Sequence, residues 1–146
     1  MSDAILDHGG TVVSYMGDGI MAVFGAPIAQ PDHADRAVAA AREMLEQRLP
    51  AFNADTEHAL RMGIGLCTGP VMSGNVGSNR RLEYTAVGDT TNTASRLEGM
   101  TKDQDVPILI AETTKAALRG AEDGLRFVGE LQVRGREATI RTWTLA

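Results

Sequence analysis

A chain of 146 residues with a net charge of −5 and scattered basic residues is one domain's worth of sequence without a nucleic-acid footprint. No apolar run approaches the ~20 residues that cross a bilayer, and the first residues lack the basic start and apolar centre of a signal peptide. The single cysteine, Cys67, has no internal partner for a disulfide, which makes a cytoplasmic, reducing location the expectation.

Residues 2–8 read as the end of a helix, stopped by Gly9-Gly10. Residues 11–15 predict a strand, Gly17-Asp18-Gly19 a tight turn, and residues 20–24 the returning strand. After a loop over residues 26–31, Asp32 is placed to cap a helix running to about Leu49. Ala34, Ala37, Val38, Ala41, Met44 and Leu45 give it one buried face, and Pro50 marks its end. Residues 60–69 predict a strand, which residues 70–77 continue with bends. Residues 81–87 predict another strand and residues 90–100 a helix. A strand over 106–110, a short helix over 112–118 and a closing strand pair over 125–130 and 139–145 complete an α+β pattern with a mainly antiparallel sheet.

The segment from Glu83 to Glu98 carries the most chemistry. A short apolar strand runs into Gly88-Asp89, and a helix follows at once. Such a helix presents Asn92 and Arg96 one turn apart on one face. An amide and a guanidinium aimed together from a helix start suit a ribose and a phosphate. They equally suit a capping Asn and a surface Arg paired with Glu83 or Glu98. Asp18, in the Gly-Asp-Gly turn, reads either as a metal ligand or as a turn aspartate bonded to its own backbone. Ser14 alone reads as an exposed strand residue, and Arg134 and Arg136 as a solvated turn. His8, His33 and His58 have no metal-ligand spacing, and Cys67 reads as a small buried strand residue. Gly74-Asn75-Val76-Gly77 lacks the Lys-Ser/Thr of a phosphate loop and reads as a strand bend.

In this order and spacing, four segments resemble the catalytic domain of class III adenylate/guanylate cyclases. They are Gly17 through Gly25, Gly63-Ile64-Gly65 with Thr68-Gly69, Gly74-Asn75-Val76-Gly77, and Tyr84 through Glu98. The likeness runs from about Ile5 to Leu145. It implies a sheet derived from the ferredoxin-like βαββαβ arrangement with helices on one face. It also implies that the family's first strand and helices, roughly 30 residues, are not among these 146, so that the chain is a single partial domain.

The resemblance implies conversion of ATP to cyclic AMP and pyrophosphate, a step of cyclic nucleotide signalling. Two Mg²⁺ or Mn²⁺ ions are held in that family by two aspartates; Asp18 matches the second, and the first has no counterpart here. Asn92 matches the residue that orients the ribose, and Arg96 the one that stabilises charge on the attacked phosphate. Thr85 and Ser14 stand where the family reads the base. Thr85 fits the ATP type and Ser14 neither type, which places ATP ahead of GTP. Arg134 and Arg136 stand where basic residues contact the phosphates. The family's site forms between two domains arranged head to tail, so the implied partner is another cyclase domain in a homodimer or heterodimer. With one metal aspartate missing, the isolated chain is expected to be inactive or very weak. The alternative is a non-catalytic partner, a nucleotide-binding or interaction module that pairs with an intact cyclase.

Overall fold

The structure, a computed structural model, describes residues 2–16, 19–26, 29–54, 57, 59–69, 72–78, 81–87, 89–120, 124–133 and 138–145; for residues 16, 72–78 and 81–87 it describes the backbone alone. Helix α1 (Ser2–Asp7) ends at Gly9, whose φ of +81° closes the last turn. Gly10 N–H then donates to Ile5 O at 2.8 Å. Strands β1 (Thr11–Met16) and β2 (Gly19–Val23) form the expected antiparallel hairpin, with a register shift between Val12 and Ser14.

Helix α2 (His33–Glu43) follows. Asp32 holds the position before it but makes no side-chain capping bond. Its carboxylate instead accepts from Arg36 Nε at 2.9 Å, and that hydrogen bond lowers its pKa from the ordinary carboxylate value. The helix does not stop at Pro50. It widens through a π-helical turn over Met44–Arg48 and continues as α3 (Leu49–Ala54). Leu49 N–H reaches back to Met44 O across that wide turn. Pro50 therefore enters in the first turn of a new helical register, where its missing N–H costs little.

Strand β3 (Ile64–Leu66) is shorter than residues 60–69 suggested. Leu60 is held elsewhere: its N–H donates to Asn53 Oδ1 at 2.8 Å and its carbonyl accepts from Asn53 Nδ2 at 3.1 Å. Strands β4 (Met72–Ser78) and β5 (Arg81–Val87) pair antiparallel in unbroken register. Gly74-Asn75-Val76-Gly77 is thus regular strand, not a bend, with Gly74 opposite Thr85. Helix α4 (Asp89–Met100), β6 (Ile108–Ala111), α5 (Glu112–Ala117), β7 (Leu125–Gln132) and β8 (Thr139–Leu145) complete the chain.

Among the described residues the strands form two hairpins, β1-β2 and β4-β5, and a sheet of order β3-β6-β8-β7. Only β3 and β6 pair in parallel. The α+β class with a mainly antiparallel sheet is as expected. Every residue of β6 is buried. Ile108 and Ile110 pack against Val38 and Ala41 of α2, and Leu109 and Ala111 against Leu97 of α4. Successive strand residues face opposite sides, so α4 covers the face of β6 that α2 does not.

The approach of α4 to β3 is close. A Cβ at Gly65 would collide with the Ala94 carbonyl oxygen and lie 2.6 Å from the Glu98 nitrogen. One at Gly63 would strike Thr101 Oγ1 and lie 3.2 Å from the Glu98 carbonyl. The two glycines let helix backbone rest on strand backbone. Gly65→Ala is expected to destabilise the chain by about 1–3 kcal/mol, lowering Tm by roughly 2–12 °C in a circular-dichroism melt. An unchanged Tm would show that α4 shifts without cost.

Candidate functional site

Helix α4 starts at Asp89, an acidic residue in the first turn that suits the positive end of the helix dipole. Its buried stripe is Thr93 and Leu97, both fully buried, with Thr91 nearly so. One position earlier in the same three-to-four spacing, Asn92 and Arg96 are exposed. The packing that buries Thr93 and Leu97 therefore turns Asn92 and Arg96 outward, side by side. Arg96 keeps an electrostatic or hydrogen-bonded partner within the chain, yet remains on the surface.

Ser14 is half-buried on β1, just past the register shift and opposite Met21. Strand β1 lies beside β5, and β5 lies against α4. Thr85 is on β5. The structure thus brings the strands of Ser14 and Thr85 next to each other and next to the helix of Asn92 and Arg96. Asp18, between β1 and β2, and Arg134 and Arg136, between β7 and β8, lie outside the described residues.

Among the described residues, no group of three or more His, Cys, Asp or Glu side chains is placed to hold a metal ion. Also among the described residues, no helix is long and apolar enough to cross a membrane.

Two supporting features were not read from the sequence. One is the pair Gly63 and Gly65 as the seat of α4, for which a Gly-x-Gly inside a strand pattern is the available signal. The other is a hydroxyl cluster beyond β3, where Thr68 and Thr114 hydroxyls lie 2.9 Å apart and Thr68 N–H donates to Thr113 Oγ1. It ties the end of β3 to α5.

If the outward residues serve a ligand and not the fold, removing them leaves stability nearly intact. Asn92→Ala and Arg96→Ala are each expected to change unfolding free energy by no more than about 1 kcal/mol, measured by urea titration. A larger loss would make them structural.

A sequence model described as the adenylate and guanylate cyclase catalytic domain matches residues 1–146. The chain is 36% identical over 145 residues to adenylate cyclase 1 of Rhizobium meliloti (strain 1021), covering 95% of this chain and 21% of that protein. It spans between a fifth and a third of the length of these curated relatives. The crystal structure of the guanylyl cyclase Cya2 superposes with a TM-score of 0.81 at 38% identity, over 99% of this chain and 74% of that one. The guanylate cyclase domain of RhGC from Catenaria anguillulae, solved in complex with GTP, superposes with a TM-score of 0.81 at 30% identity, over 99% of this chain and 76% of that one.

Proposed function

This chain belongs to the adenylate and guanylate cyclase catalytic domain family, and on that premise we propose that it acts as the ribose- and phosphate-binding half of a two-domain nucleotide cyclase site. The observation that carries the reading is the outward pair Asn92 and Arg96 on α4. A pair directed away from its own core serves something docked from outside, and a head-to-tail partner domain supplies it.

In the proposed reaction the ribose 3′-oxygen attacks the α-phosphorus of ATP. The new P–O bond closes the cyclic ester, the bond to the β-phosphate bridging oxygen breaks, and pyrophosphate leaves with the electron pair. The 3′-hydroxyl proton passes to solvent or a basic group nearby. Asn92 orients the ribose through its side-chain amide. Arg96 donates to the phosphate oxygens as negative charge builds on them, where a preorganised donor is worth most. Two Mg²⁺ or Mn²⁺ ions, when bound, gather the triphosphate and acidify the 3′-hydroxyl. Asp18 offers one of the carboxylates that would hold them, and a second carboxylate is needed beside it. Arg134 and Arg136 add positive charge near the phosphates.

The base-reading residues favour ATP through Thr85. A serine hydroxyl is too short to reach a ring nitrogen as a lysine does, so Ser14 leaves selectivity over GTP weak. Adenylate and guanylyl cyclases both occur among the proteins this chain resembles.

The test mixes this chain with a class III cyclase domain that carries both metal aspartates but has its own Asn and Arg replaced by alanine. Cyclic AMP is expected from the mixture, and none from this chain alone with Mg²⁺ or Mn²⁺. Arg96→Ala should cut the mixture's rate on the order of 10²- to 10³-fold. A stable heterodimer without product would contradict the proposal and leave an interaction module. Turnover by the chain alone that disappears in Asp18→Ala would show that another of its groups completes the metal site.

A further inference from the structure

Gly63 and Gly65 set the direction of α4 through contacts at Ala94, Glu98 and Thr101, in its middle and at its end. Asn92 lies before all of these, in the first turn. The first four N–H groups of a helix have no acceptor within it, so a first turn depends on outside contacts more than the turns behind it.

Such a contact is present at Gly69. A Cβ there would lie 2.6 Å from Thr90 Oγ1 and 3.6 Å from Thr90 Cγ2, so the Thr90 side chain rests on the Gly69 backbone. Thr90 is the second residue of α4. The residue before Gly69 is held twice by α5. Thr68 N–H donates to Thr113 Oγ1 at 3.3 Å, and the Thr68 and Thr114 hydroxyls lie 2.9 Å apart. Thr114 is buried, where a hydroxyl cannot exchange a protein partner for water without cost. Helix α5 is in turn tied to the sheet, because Glu112 Oε2 accepts from Trp143 Nε1 of β8 at 2.6 Å. A line of contacts therefore runs from β8 through α5, Thr68 and Gly69 to the turn that carries Asn92.

We propose that Thr68 and Thr114 are positioning residues for Asn92. Their hydroxyl pair fixes the Thr68–Gly69 segment, and that segment holds the first turn of α4 to the direction that Gly63 and Gly65 set. Both act through the helix and not on a ligand. Arg96, one turn further in, lies on the part of α4 that Gly65 seats directly. Losing the hydroxyl pair therefore disturbs Asn92 and spares Arg96. The consequence for catalysis rests on the proposed role of Asn92, whereas the anchoring of the first turn does not.

The test uses Thr68→Val/Thr114→Val, which removes both hydroxyls, keeps their shape and strands neither as a lone buried group. In this chain alone, amides 93–95 bond the carbonyls of residues 89–91. Their exchange should quicken by about fivefold or more in the variant, with residues 98–100 unchanged. In the mixture with the aspartate-bearing partner, the variant should lower kcat about tenfold and leave KM for ATP nearly constant. The loss should vanish in an Asn92→Ala background and persist in an Arg96→Lys background. Thr68→Ser/Thr114→Ser, which keeps both hydroxyls, should match the parent in both measurements. If the valine variant does not fold, Thr113→Ala, an exposed change that removes the acceptor of Thr68 N–H, should quicken the same amides. Unchanged exchange at residues 93–95, or equal quickening along the whole helix, would overturn the proposal. So would an unchanged kcat, or a loss undiminished in the Asn92→Ala background. A parent mixture that makes no product would instead contradict the cyclase reading, and the exchange comparison would still decide whether the hydroxyl pair holds the first turn.

Discussion

The rest of the structure depends on the contact between α4 and β3. Helices usually rest on sheets through side chains. Here Gly65 has none, and the Ala94 carbonyl and Glu98 nitrogen of α4 occupy the space a Cβ would take. Gly63 does the same one pleat away, against Thr101 and the Glu98 carbonyl. Two contacts along one helix fix its rotation as well as its distance. The rotation decides which residues face out: burying Thr93 and Leu97 leaves Asn92 and Arg96 exposed. The capping interactions agree with this seat: Thr101 bonds the Glu98 carbonyl through both its N–H and its hydroxyl, ending α4 where β3 begins its approach.

The proposed site, divided between two domains, fits several features together. The amide of Asn92 and the guanidinium of Arg96 are on the surface, open to a partner domain. Ser14 and Thr85, the proposed base-reading positions, are on adjacent strands that lead, through β5, directly into α4. On the proposed reading, this domain offers positioning and charge stabilisation, and a partner domain completes the metal site.

Local patterns in the sequence revealed most of the elements and the outward pair. The hairpin of β1 and β2 is written in alternating residues around Gly17-Asp18-Gly19, and α4 follows at once from Gly88-Asp89. The misreadings have particular causes. Pro50 signalled an end, but a π-helical turn moved the register so that the helix could pass it. Residues 60–63 have strand-like spacing, yet Asn53 claims the polar groups of Leu60. Gly74-Asn75-Val76-Gly77 reads as a bend in isolation, because the straight partner that regularises it lies in β5. The neighbourhood of β1 and β5, and the seat of α4 on Gly65, are contacts between distant segments that no local period encodes. Asp18, Arg134 and Arg136 lie outside the described residues, so their roles rest on the family resemblance alone.

The central claim is that the Gly65 contact aims Asn92 and Arg96 at a partner domain. The most direct measurement is the rate that a Gly65→Ala chain confers on an aspartate-bearing cyclase partner, taken well below its melting temperature and normalised to folded protein. The account predicts that a chain folded by circular dichroism still confers much less activity than the parent, because a displaced helix misaims both side chains. Parental activity from a folded Gly65→Ala chain would contradict it.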